Sequence, residues 1–162
     1  MTRRTLVSAA LLALATATAA FSTPTTAKWP PWLSIESPVN PFDPTARGAV
    51  MLVHAVFREG QTQVSDLNGA AEGIVNGSRR SIALRFDTTG HPNVFAVRRQ
   101  WPSDGTWLLR ISLRQTTAIV TLDRAGNMAS VRVPTELASG SQIPRVVAAK
   151  EIDSTLAETA RR

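Results

Sequence analysis

Apolar and polar side chains alternate with a period of two along much of the chain after Gly48. In residues 81–87, Ile82, Leu84 and Phe86 interleave with Ser81, Ala83, Arg85 and Asp87. An extended strand with that pattern buries one face and wets the other. The same rhythm sets Phe95, Val97, Arg99 and Trp101 on one face of a strand. It sets Trp107, Leu109, Ile111 and Leu113 on the facing one, with Arg110 and Arg114 projecting outward. Residues 49–57 (AVMLVHAVF) are apolar on both faces, the pattern of a strand interior to a layered structure. Asn76-Gly77 marks a two-residue hairpin, because a type I′ turn needs positive φ twice. A last hairpin faces Ala118, Val120 and Leu122 with Ala129, Val131 and Val133 across the turn at 123–127, where Gly126 and Asn127 suit positive φ. The pattern predicts an all-β chain: an immunoglobulin-like antiparallel β-sandwich of seven to nine strands with Greek-key connections.

The two ends depart from this rhythm. Near the C-terminus, apolar residues at 146, 149, 152, 156 and 160 mark a narrow helical stripe, with Pro144 placed for the first turn of a short helix. That helix either docks on the sandwich or offers its apolar face to a partner. Residues 21–47 hold six of the ten prolines. Proline removes a backbone donor and disfavours helix, so this stretch reads as an extended arm entering an edge strand at 32–37. Residues 1–20 (MTRRTLVSAALLALATATAA) combine a basic start, a short apolar run and small residues at Ala15, Ala17 and Ala19. This is the signature of a cleaved export signal, with cleavage after Ala19 or Ala20. The division is therefore 1–20 signal peptide, 21–47 arm and edge strand, 48–133 sandwich core, and 134–162 linker and amphipathic helix.

Composition narrows the function. With the leader removed, 16 basic residues face 12 acidic ones, a charge of about +4, and no more than two basic residues are adjacent. Nucleic acid is not an expected partner. There is no cysteine, so disulfides and cysteine lipidation are excluded although an exported chain would permit them. The expected location is periplasmic or extracellular. The expected partner is another exported or membrane protein, with membrane contact only through an uncleaved leader.

The stretch RRQWPSDGTW, residues 98–107, puts two arginines beside two tryptophans and a turn. It reads as a sandwich corner, with Trp107 in the core, Trp101 plugging the sheet's end, and Arg98 and Arg99 at solvated strand edges. Read instead as a recognition patch, Arg98 and Arg99 join Trp29 and Trp32 as partner-binding residues. No serine elbow, zinc-binding HExxH or glycine-rich phosphate loop occurs, so no catalytic residue, cofactor or enzymatic activity is expected. His54 falls mid-strand, where backbone groups are expected to satisfy it, and His91 falls in a turn. The two are the candidate metal ligands.

The order NG-x-x-R-x-x-x-L-x-F followed by HPNVFAVRRQWPSDGTWLLRISL resembles bacterial secreted immunoglobulin-like domains of the YtkA-like and FixH-like type. Those domains carry a pG-x-Y strand before a G-x-W-x-l-x-v strand. Asn93 and Phe95 stand in for the glycine and tyrosine, while Gly105, Trp107, Leu109 and Ile111 match. The resemblance spans residues 35–114. It implies an exported accessory or protein-binding domain. More distantly, through CopC-like relatives that bind copper with histidine and methionine, it implies a metal-binding alternative. A small hydrolytic enzyme is a further alternative.

Overall fold

The computed structural model describes residues 30–57, 64 and 66–161, so the leader, Trp29 and the turn through Gly60 lie outside the described residues. Eleven strands and one helix are described: β1 (Trp32–Glu36), β2 (Met51–Val56), β3 (Leu67–Val75), β4 (Ser78–Ala83), β5 (Asp87–Thr88), β6 (Val94–Val97), β7 (Thr106–Leu113), β8 (Thr116–Leu122), β9 (Met128–Arg132), β10 (Thr135–Ala138), β11 (Ser141–Pro144) and α1 (Ala149–Arg161). Nine strands make two antiparallel sheets, in the orders β1-β2-β6-β5 and β4-β3-β7-β8-β9, and β10–β11 stand apart as a pair. We call the first sheet A and the second sheet B. β2 neighbours β6 and β3 neighbours β7, so the chain crosses repeatedly between the sheets.

One apolar cluster fills the space between them. Leu33, Met51, Val53 and Val97 come from sheet A, and Trp107, Leu109, Ile111, Leu113 and Val120 from sheet B. These are the alternating residues of the sequence pattern, and the chain is the all-β sandwich with a short C-terminal helix that they predict. Trp107 and Trp101 are both buried. Trp107 lies opposite Gly73, where a Cβ would stand 2.4 Å from its Cε3, so only glycine lets the indole rest on the β3 backbone. Its Nε1–H donates to Asp104 O at 2.7 Å. Trp101 Nε1 has no partner among the described residues.

Both outer faces of the sandwich are also covered in part, which accounts for the strands that are apolar on both sides. On sheet A, Leu52 and Ala96 lie beneath Ala46 and Val39, from the segment that contains the 3-10 turn Pro44–Ala46. Asp43 caps that turn by accepting from Thr45 N and Oγ1, and these bonds hold its carboxyl below the usual aspartate range. Much of the expected arm is thus an integral cover, with β1 paired to β2 over its whole length. On sheet B, α1 presses Ile152 and Leu156 onto Leu108, Ile119 and Val147. Burying each such side chain is worth about 1.5–3 kcal/mol, so the helix docks rather than frays. Ion pairs flank the contact: Arg79–Asp153 at 2.7 Å and Arg145–Glu151 at 2.8 Å. Glu72, the one buried carboxylate among the described residues, sits beneath α1 between Arg79 and Arg110, at 3.4 and 3.7 Å. A buried carboxylate needs such partners, and they are supplied internally.

Several local expectations change. Asn76 and Gly77 have φ of 49° and 77°, as the hairpin requires. At the β8–β9 turn only Gly126 takes positive φ, at 82°, and Asn127 does not. A register shift at Thr121/Leu122 pairs Leu122 with Met128, so Met128 and Val133 pack on the core while Ala129 is exposed. Pro144 ends β11 instead of opening the helix, and residues 134–144 are mostly a hairpin, turned by Ser139 and Gly140 at φ of 50° and 78°, in place of a linker.

Candidate functional site

On β1 the residues Trp32, Ser34 and Glu36 alternate with the inward Leu33 and Ile35. Register places Trp32 opposite Val56 and Ser34 opposite His54, all on the outer face of sheet A. His54 in turn lies opposite Val94 on β6. The cover formed by residues 39–49 reaches Leu52, Ala96 and Val94, and among the described residues none packs over the other end of this face. There Trp32 is 42% exposed and Val56 50%, side by side across two strands. Phe42 projects from the cover itself, 90% exposed.

Next to this apolar pair lies a polar one. His54 Nε2–H donates to Glu36 Oε2 at 2.9 Å, which fixes that ring nitrogen as the protonated one. The expected backbone partner is replaced by a carboxylate because Glu36 lies diagonally across the strand pair. Both side chains are partly exposed, at 32% and 43%, so the pair is open to solvent and worth little to stability. The result is a flat strip with an indole and an isopropyl group at one end and a hydrogen-bonding His–Glu pair beside them. It can bury apolar area against a partner while exchanging polar contacts.

The other residues singled out in the sequence are placed elsewhere. His91 lies exposed in the turn before β6, where its carbonyl accepts from Val94 N. The neighbouring Gly90 lies against Thr45, which puts this turn beside the 3-10 turn. Among the described residues no three His, Cys, Asp or Glu side chains stand close enough to hold a metal ion. Trp29 lies outside the described residues. Arg98 pairs with Asp87 and donates to Arg47 O at 3.1 Å, tying β5, β6 and the cover together.

Arg99 is exposed, as a strand-edge position would be, but its guanidinium is bonded to the chain's own backbone. Its guanidinium donates to Trp101 O at 3.3 Å, Pro102 O at 3.3 Å and Ala125 O at 3.0 Å, and it lies against Gly126. It therefore fastens the segment after β6 to the turn between β8 and β9. Arg98, Arg99 and Trp107 thus bond to groups of the chain itself, while the buried Trp101 contributes packing.

Glu36, Ser34 and Val56 were not singled out from the sequence. The signal was available in the period-two spacing of Trp32, Ser34 and Glu36, but only the β1–β2 register brings them against His54 and Val56. No helix among the described residues is long and apolar enough to cross a membrane. Comparison with protein-family models, curated proteins and solved structures gives no match, which leaves the geometry of the site to carry its interpretation.

Proposed function

We propose that this chain is exported on its leader and acts as a non-catalytic, immunoglobulin-like accessory domain. It binds a protein that is itself exported or membrane-bound through the bare end of sheet A's outer face. One observation carries this reading: Trp32 and Val56 stand exposed as a cross-strand pair next to the His54–Glu36 bond. Tryptophan is enriched among the few residues that dominate interface energetics, where it fills a pocket of the partner and excludes water. The face is favoured over the β1 edge. Pro30 and Pro31 precede the five residues of β1 and Pro38 follows them, and proline at a strand's ends blunts edge pairing. The resemblance to the YtkA-like and FixH-like domains agrees with such a role, and function then resides in the site rather than in the fold.

The test is site-specific photocrosslinking in the cells that make the protein. A photoreactive residue at position 32 is expected to give one discrete protein adduct, and the same probe at Leu137, exposed on β10, is expected to give none. Identical adducts from both positions, or no adduct from position 32, overturn the assignment. Mass spectrometry of the same material checks export. A chain beginning after Ala19 or Ala20 is expected, and retention of Met1 refutes it.

A further inference from the structure

A second site lies on the opposite side of the molecule. The last apolar anchor of α1 is Leu156, and beyond it the final turn of the helix carries only intermediate and exposed residues. Between that turn and the outer face of β7, β8 and β9 runs a groove of about 440 Å³. That volume falls within the roughly 300–1,000 Å³ typical of small-molecule sites. Ile119 and Leu122 form its almost wholly buried floor, and the accessible lining is polar: five hydroxyl side chains, Thr106, Thr121, Ser130, Thr155 and Thr159, with two acidic and two basic side chains among them.

A census of protons shows what those hydroxyls can do. Thr155 donates to Glu151 O at 2.9 Å and Thr159 to Thr155 O at 2.8 Å. Each hydroxyl has a single proton, so the helix wall presents oxygens that can only accept; Thr155 Oγ1 already accepts from Arg132 at 3.2 Å, while the Glu158 carboxylate adds further acceptors. Thr121 and Ser130 lie 2.6 Å apart, so one donates to the other and the pair keeps a single proton to give. A ligand must therefore donate toward α1 and accept from the β8–β9 wall. Charge narrows it further. The lining carries two acidic side chains, Asp123 and Glu158, and two basic ones, Arg124 and Arg132, so its formal charge is zero and a neutral molecule suits it. The geometry points to an uncharged saccharide as the occupant. A sugar ring offers hydroxyls that both donate and accept, and it carries no charge. This site is separate from the sheet A surface and does not depend on the role proposed there.

The test is an amide-resolved NMR titration of the isotope-labelled chain with glucose, N-acetylglucosamine and sucrose as separate probes. At least one sugar is expected to give saturable shifts confined to residues 105–106, 119–124, 129–132 and 155–160. Thr121→Val with Ser130→Ala removes the sheet-side donor, and about tenfold weaker binding is expected. Thr159→Val, on the partly exposed last turn, is expected to weaken binding without disturbing the β8–β9 pair, and serves if the double variant folds poorly. Absence of saturable shifts with all three sugars overturns the proposal. So do shifts outside the groove, or shifts that survive Thr159→Val and the double variant unchanged.

Discussion

The corner at residues 98–107 and the bare strip at Trp32 use the same ingredients to opposite ends. Both set a tryptophan among charged or polar neighbours near a sheet's end. In the corner, Trp107 donates to Asp104 O, Arg99 grips three carbonyls, and the indoles are buried. On the strip, Trp32 is 42% exposed, and the His54–Glu36 bond beside it joins two partly exposed side chains. Recognition chemistry is thus not identified by residue type. What matters is whether hydrogen-bonding and apolar capacity is already used within the fold.

That contrast can be broken experimentally, and the largest effect is expected at Trp107. Trp107→Ala removes a buried indole and should cost about 3–5 kcal/mol, much of a domain's total stability. A thermal melt left unchanged would show the corner to be a surface. Gly73→Ala attacks the same contact from the other side. The added methyl overlaps the Trp107 ring, and an overpacking loss of about 1–3 kcal/mol should appear in denaturant unfolding. A neutral result there would mean the indole does not lie on β3.

Smaller effects sharpen the picture. Arg99→Ala releases the turn between β8 and β9 and should lower stability by about 1 kcal/mol. Arg98→Ala, at an exposed ion pair, should cost about 0.5 kcal/mol or less. Equal melting temperatures for the two variants would make Arg99 an ordinary surface residue. The smallest effect concerns Asp123, whose carboxylate accepts from Asn127 N at 2.8 Å within that same turn. This backbone bond, the largest influence on the group, lowers its pKa from 3.8. The unfolded chain then holds more protons between the two values. The contribution is present above about pH 4 and is lost as the pH falls through the lowered value. Asp123→Asn keeps an acceptor but cannot titrate, so its melting temperature should fall less steeply below pH 4 than that of the parent. Parallel acid curves would remove the carboxylate from the account.

Much of the fold was legible because alternation reports burial directly. Ile82, Leu84 and Phe86, or Trp107 to Leu113, point one way in any strand, and Asn76-Gly77 announces its own turn. Other turns gave weaker signals. Arg114 takes φ of 53° in the tight connection between β7 and β8, where no glycine or asparagine marks it. The bulge that exposes Ala129 in place of Met128 is a matter of pairing, and pairing involves two strands at once.

The candidate site was legible only in fragments. Trp32 and His54 could be noticed separately, 22 positions apart, but the sequence by itself determined little more than that each lies in a strand and which neighbours share its side. It also determined the class of fold, the absence of disulfides and the helical stripe at the end, because these follow from local periodicity and composition. Tertiary structure decided that Glu36 would hold His54, that residues 39–49 would stop short of Trp32 and Val56, and that the exposed Arg99 would bond to backbone carbonyls. The physical reason is that exposure and hydrogen-bond satisfaction belong to pairs of surfaces, and which surfaces meet is set by sheet register and by how far each cover extends.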